Sequence, residues 1–318
     1  MTKKISILSL ALLTLSCSLS FAAQSNKVPL LNKTFSQSQI QNLEINLVYE
    51  DVEIKNTYGD EILVEVYSNH KKRIPNIAVN SNTLQITSQK NIMITGLNCT
   101  VKIYIPENQT FKDAYIKTTS SDINIEEMIA QNLEVLSTSG DIECKTLNAE
   151  DNLKIHTTIG DIEVDKIETK ELTVKSTSGD AELNEIKCET FDAKSTSGEI
   201  TVNAFSGDYI ETETTSGEID FYDVDVNYFS FETTSGSVSI DFKKVPEASS
   251  KIKTVSGNVQ ICLPHDGFTL DVYSSSGTFK DKINDNRFTP RSNYTQKYFG
   301  GGTQIEIKTT SGEILLEQ

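Results

Sequence analysis

A short phrase sets what this chain can fold into: Ser/Thr-Thr-Ser-Gly, then an acidic residue, then an alternating apolar stretch. It stands at residues 137–141 (STSGD), 157–161 (TTIGD), 176–180 (STSGD), 195–199 (STSGE) and 214–218 (TTSGE). It continues at 233–237 (TTSGS), 254–258 (TVSGN) and 274–278 (SSSGT), and returns at 309–313 (TTSGE). An earlier copy at 118–122 (TTSSD) has Ser121 where the others have glycine. Gly140, Gly160, Gly179, Gly198, Gly217 and Gly236 follow one another at intervals of 19 or 20 residues. A fixed period of this length marks a stack of supersecondary units, none of which can bury its apolar face alone.

Within one unit, Leu172, Val174 and Ser176 fall on one face and Thr173, Lys175 and Thr177 on the other, the period of two of a strand. After the turn at Ser178-Gly179, Ala181 and Leu183 resume the inward set while Asp180 and Glu182 point out. Gly179 is expected to supply a positive φ at a tight corner. A second bend is expected near residues 184–188, which gives two short strands per turn. Equivalent inward places form files: Leu153, Leu172, Phe191, Ile210 and Phe229 in one, and Ile142, Ile162, Ala181, Ile200, Ile219, Val238 and Val259 in another. A sandwich of hairpins would not need one side-chain type at a fixed offset. The expected fold is all-β: a right-handed parallel β-helix, or β-solenoid, with turns of about 20 residues and irregular caps.

The chain opens with Lys3 and Lys4 before an apolar run at residues 5–15, which has the length of a signal-peptide core and is too short to span a bilayer. Ser20-Phe21-Ala22 fits a small-x-small cleavage site, which makes residues 1–22 a signal peptide. Residues 14–17 (TLSC) resemble a bacterial lipobox, which makes lipidation at Cys17 the other reading. Either route exports the protein to the periplasm, the cell surface or the medium. Removal of residues 1–22 leaves 27 Lys and Arg against 45 Asp and Glu, a net charge of −18. Such an acidic chain does not bind nucleic-acid backbones by default. Cys99, Cys144, Cys188 and Cys262 remain after cleavage and show no CxxC or zinc spacing. Cys144 takes an inward, apolar place, whether Cys99 and Cys262 are bridged stays open, and no cofactor is implied.

Residues 23–42 read as a tether and 43–318 as a single solenoid domain. In that domain, 43–117 is an irregular N-terminal cap, 118–279 the regular turns, 280–302 a loop or hairpin insertion, and 303–318 the closing strands. Residues 49–54 (YEDVEI) form a degenerate copy with Glu50 in the place of glycine. The order of features resembles the bacterial putative-adhesin family of β-strand-repeat proteins of unknown function, whose members combine an x-I-x-x-P strand, TTSGDI copies, a late SGxVxIxLP segment and a closing TTSGEI. Here these are residues 100–106 (TVKIYIP), the copies above, 256–264 (SGNVQICLP) and 309–314 (TTSGEI). The resemblance covers about residues 43–318. It implies a secreted or envelope-attached β-helix and carries over no catalytic residue.

Two groups stand out as candidate sites. Asp141, Glu143, Asp161, Glu163, Asp180, Glu182, Glu199, Glu218 and Asp220 form an outward acidic stripe. It reads either as a collector of Ca²⁺ or a cationic partner, or as a solvated face that blocks aggregation. No metal-binding loop motif is present, so no metal is assigned. In the insertion, Arg287, Arg291, Tyr294, Tyr298 and Phe299 make a locally basic, aromatic segment, a candidate binding loop whose plainer reading is a cap over the last turn. Inward Ser137, Thr157, Ser176 and their equivalents read as a hydroxyl ladder serving corner backbone groups. An ice-binding face would need two flat outward threonine ranks, and Leu136, His156, Lys175, Lys194, Glu213 and Glu232 occupy the second. Isolated histidines, and arginines confined to places outside the regular turns (Arg73, Arg287 and Arg291), leave no catalytic grouping. The expected function is a non-enzymatic, adhesin-like binding or structural module of the bacterial envelope, its partner an envelope protein or a glycan. The alternatives are a carbohydrate-active enzyme on the same scaffold and an envelope-stress sensor working by protein contact.

Overall fold

The computed structural model describes residues 28–71, 74–89, 96 and 98–318. Both export signals therefore lie outside the described residues. The regular part is a stack of parallel coils. Strands Ile142–His156, Ile162–Ser176, Ala181–Ser195, Ile200–Thr214 and Ile219–Thr233 are each 15 residues long. Each pairs in parallel with the next along nearly its whole length.

The expectation of two strands per turn is replaced by one long strand bent twice. In Ile162–Ser176 the burial alternation slips at Asp165-Lys166 and again at Lys170-Glu171, where two successive residues are exposed. Two neighbours cannot both face outward on a straight strand, so each slip marks a bend and the coil has three short arms. The parallel register with both neighbouring coils breaks at Asp165 and at Lys170 and resumes just after each, so the strand runs on past both bends.

The files predicted from the repeat are the core. Leu153, Leu172, Phe191, Ile210 and Phe229 lie in register, as do Ile142, Ile162, Ala181, Ile200, Ile219, Val238 and Val259. All are essentially removed from solvent. Each large apolar side chain in a file contributes roughly 1.5–3 kcal/mol from burial. Phe191, Phe221, Phe229, Phe231 and Phe242 thicken the centre of the stack with ring contacts of 4.9–6.2 Å.

The two ends do not follow chain order. Strands Thr303–Thr309 and Ile314–Glu317, the last of the chain, insert between the coil of Ser250–Thr254 and Val259–Cys262 and the coil of Phe268–Ser274 and Phe279–Asp281. At the other end the earliest coil, Asn42–Asn46 with Asp51–Thr57, does the same. It lies between Phe111–Lys117 with the start of Ile123–Leu136 on one side and Thr83–Thr87 with Cys99–Pro106 on the other. Antiparallel strands then close both ends. Glu61–Ser68, Leu31–Ser36 and Asn76–Asn80 cover the first, and Asn286–Phe288 with Tyr294–Tyr298 the second. Such covering limits the strand edge left open to other chains.

From Leu31 onward this arrangement corrects the tether expected over residues 23–42. Leu31–Ser36 pairs with Glu61–Ser68, Leu31 and Phe35 pack on the core, and Ile40 is buried. Alternating apolar residues within polar sequence are enough to hold an edge strand once a partner strand is present.

Candidate functional site

The corner of each coil is built by its own phrase. Hydroxyls of Ser137, Thr157, Ser195, Thr233 and Thr254 accept the backbone N–H of the glycine three residues on, at 2.9–3.1 Å. Thr214 instead donates to the carbonyl of Gly217 at 2.7 Å. This is the expected hydroxyl ladder, and it satisfies backbone groups that the corner would leave buried. The glycines serve a different purpose from the one expected. Among the described glycines only Gly59, Gly96, Gly300 and Gly301 have positive φ, and none of these is a corner glycine. At the corner the constraint is contact between coils: a Cβ on Gly198 would lie 1.9 Å from the carbonyl oxygen of Gly179, and one on Gly217 1.9 Å from that of Gly198. Ser121 escapes this because the coil beneath it is the divergent one. There the buried Glu50 turns its carboxylate onto the N–H groups of Val48 and Tyr49 at 3.2 and 3.1 Å, and Ser88 donates to it as well.

The acidic stripe divides into two ranks. In the first, Asp141, Asp161 and Asp180 each accept the backbone N–H of the equivalent residue one coil on, at 2.8–2.9 Å. Where the acid is lost, Asn258 accepts from Glu313 in the same way at 2.9 Å. An amide replacing a carboxylate in this role shows that the rank is held by its hydrogen bond and not by its charge. In the second rank, burial and then the carboxylates of Glu143 and Glu182 hold Glu163 above the usual range. Asp220 is raised to about 6 by burial, then by Glu199 and Glu218. Among the described residues no three His, Cys, Asp or Glu side chains gather closely enough to hold a metal ion.

The predicted binding loop is largely packed away. Tyr298 is buried, stacks on Phe268 at 4.7 Å and donates its hydroxyl to Asp281 at 2.8 Å. Tyr294 packs against Phe288 at 4.7 Å, and Phe299 lies over His265 at 3.8 Å. Arg287 and Arg291 remain exposed. The segment corresponds to the capping hairpin weighed beside the loop: its rings extend the core over the last coil, and a free loop would leave that edge open. Cys144 and Cys188 are buried, and burial pushes the Cys188 thiol up to about 12. Cys99 and Cys262 sit in coils near opposite ends of the stack, roughly 40 Å apart at the strand spacing, too far for a bridge.

The feature that sequence reading did not single out is a groove beside the corner. Its volume is about 810 Å³. One wall is a single file running through eight coils: His156, Lys175, Lys194, Glu213, Glu232, Lys253, Lys308 and Tyr273. Seven steps at the strand spacing make it roughly 34 Å long. The other wall is a rank of exposed residues, Thr177, Thr196, Thr215, Thr234, Val255 and Thr310. Lys194 pairs with Glu213 at 3.1 Å, Lys251 and Lys253 share Glu232 at 2.6 and 3.2 Å, and Lys308 reaches Glu306. Lys175 has no carboxylate within 4 Å among the described residues. His156 is held below its usual value by burial and by Lys175. The signal was in the sequence: the rank that rules out an ice-binding face is this wall.

The sequence model of the family described as Toastrack DUF4097 matches residues 40–244 and again 206–317. The chain belongs to that family. Together the two Toastrack matches cover the regular coils and both out-of-order ends. No curated protein matches. Solved structures that match the chain include a "putative adhesin" from Parabacteroides distasonis, 14% identical over 90% of this chain and 96% of that one, with a TM-score of 0.47. Another, from Parabacteroides merdae, is 15% identical over 91% and 96%, with a TM-score of 0.39. A "putative cell adhesion protein" from Clostridium sporogenes is 13% identical over 91% and 98%, with a TM-score of 0.23. At such identities and scores, function does not pass from those proteins to this one.

Proposed function

We propose that this Toastrack protein is a non-enzymatic, adhesin-like binding module displayed outside the cytoplasm, with the corner groove as its contact surface. The observation that carries this reading is the groove itself, an open channel crossing eight coils with hydroxyls on one wall and charges on the other. Recognition by many repeated, individually weak contacts suits an elongated partner, as in other solenoids. A carbohydrate-active enzyme would need one carboxylate pair set apart from the rest, whereas the repeat supplies an equivalent pair in coil after coil. Export supports the reading from the sequence alone, through the apolar run and small-x-small site at the N-terminus.

The test is retention of the exported chain on bacterial envelope fractions, with Thr215→Trp as the groove-filling variant. Thr215 is exposed, so the substitution leaves the core untouched. Loss of retention with an unchanged melting temperature is expected. Full retention by the variant overturns the groove as the contact surface.

A further inference from the structure

We infer that the groove takes a linear acidic polysaccharide, with its carboxylates seated at the end formed by His156, Lys175 and Lys194. This deepens the binding reading above and rests on it. Charge comes first. On a chain of net charge −16, the groove lining holds four lysines and two glutamates, a cationic strip on an acidic protein. Lys253 shares its carboxylate with Lys251, and Lys175 has none within ion-pair distance among the described residues. An ammonium left without a partner at the edge of a concave strip is a ready counter-charge for a ligand carboxylate.

The hydroxyl wall argues for a sugar chain. Thr177, Thr196, Thr215 and Thr234 are exposed, and their side chains make no hydrogen bond among the described residues. They recur at about 4.8 Å along the axis, each able to donate and accept. Their carbonyls are already spent, since Ser197, Ser216 and Ser235 donate their N–H groups to those of Thr177, Thr196 and Thr215 at 3.0 Å. With no open strand edge in the groove, an extended peptide could not be held by strand addition, the mode that gives such ligands their main-chain bonds. The cationic side chains of the lining are lysine and histidine with no arginine, which disfavours bidentate recognition of phosphate. A polyhydroxylated chain bearing carboxylates satisfies both walls.

The experiment measures binding of linear polygalacturonate oligosaccharides to the exported chain, beside their carboxyl-reduced counterparts, poly-glutamate and single-stranded DNA. Lys175→Glu is the test variant, and Lys187→Gln, whose lysine pairs with Glu168 away from the groove, is the control. Circular dichroism confirms folding of each. Polygalacturonate is expected to bind, more weakly as salt rises, and Lys175→Glu to weaken it about tenfold while Lys187→Gln leaves it unchanged. Equal binding of the carboxyl-reduced chain, or no effect of Lys175→Glu, overturns the anionic assignment. Tighter binding of poly-glutamate or DNA, or no binding of polygalacturonate, overturns the polysaccharide class. In each of these cases the groove reading stands or falls separately, on whether Thr215→Trp abolishes envelope retention.

Discussion

Gly277 packs on Gly312, a residue 35 positions later, and not on Gly257, the corner glycine that precedes it in the chain. A Cβ at Gly277 would fall 1.8 Å from the carbonyl oxygen of Gly312, and one at Gly312 would fall 1.7 Å from that of Gly257. The glycine ladder therefore runs Gly236, Gly257, Gly312, Gly277, with the final coil of the chain wedged one place inside the end of the stack.

Removal of residues 303–318 should for this reason unseat more than it deletes. Phe268–Ser274 and Phe279–Asp281 lose their parallel partners. Hydrogen exchange is expected to show loss of protection across residues 268–298, with Ile200–Thr214 still protected. Native-like protection of residues 268–298 in the truncated chain would contradict the insertion.

The corner glycines set a second expectation. Gly198→Ala should destabilise by about 3 kcal/mol, because the added methyl meets backbone and not a flexible side chain. Ser197→Ala, one residue earlier and exposed, should be nearly neutral. Urea unfolding of the two variants separates close coil contact from general intolerance at the corner.

In the capping hairpin, Tyr298→Phe removes the hydroxyl that Asp281 accepts while keeping the ring on Phe268. Asp281 keeps bonds from the N–H groups of Ile283 and Asn284 at 3.0 Å, so the loss should be about 1–2 kcal/mol. Envelope retention should not change. A retention defect without a fall in melting temperature would restore a binding role to this segment.

Asp220 gives a pH test. Its folded pKa of about 6 lies above the ordinary 3.8, so the folded chain holds this proton more tightly than the unfolded one. Its contribution to stability is fully present below about pH 4 and is lost as pH rises through about 6. Asp220→Asn removes that dependence. With solvent screening allowed for, the variant should be about 1 kcal/mol more stable than the parent at pH 7.5 and no more stable at pH 4. A stability difference that does not change with pH would refute the assignment.

The sequence by itself determined the coil. The 19- or 20-residue period, the inward files from Leu153 to Phe229 and the hydroxyls at Ser137 and its equivalents are legible because each coil repeats the same local alternation and meets an identical neighbour. Tertiary structure decided the rest. The corner glycines are required by carbonyl oxygens one coil away, which no local φ preference reveals. Tyr294 and Tyr298 look like interface aromatics until Phe268 and Phe288 are brought against them. The repeat puts Lys175 in rank with His156 and Lys194, but only the structure shows that this rank and the threonines border a groove, and that no carboxylate of the described residues lies within 4 Å of Lys175. The order of the end coils was hidden for the same reason. Parallel pairing through near-identical corners is almost degenerate in local energy, and Phe268–Ser274 takes the outer place because Tyr294–Tyr298 covers its remaining edge in antiparallel pairing, leaving Thr303–Thr309 between it and Ser250–Thr254.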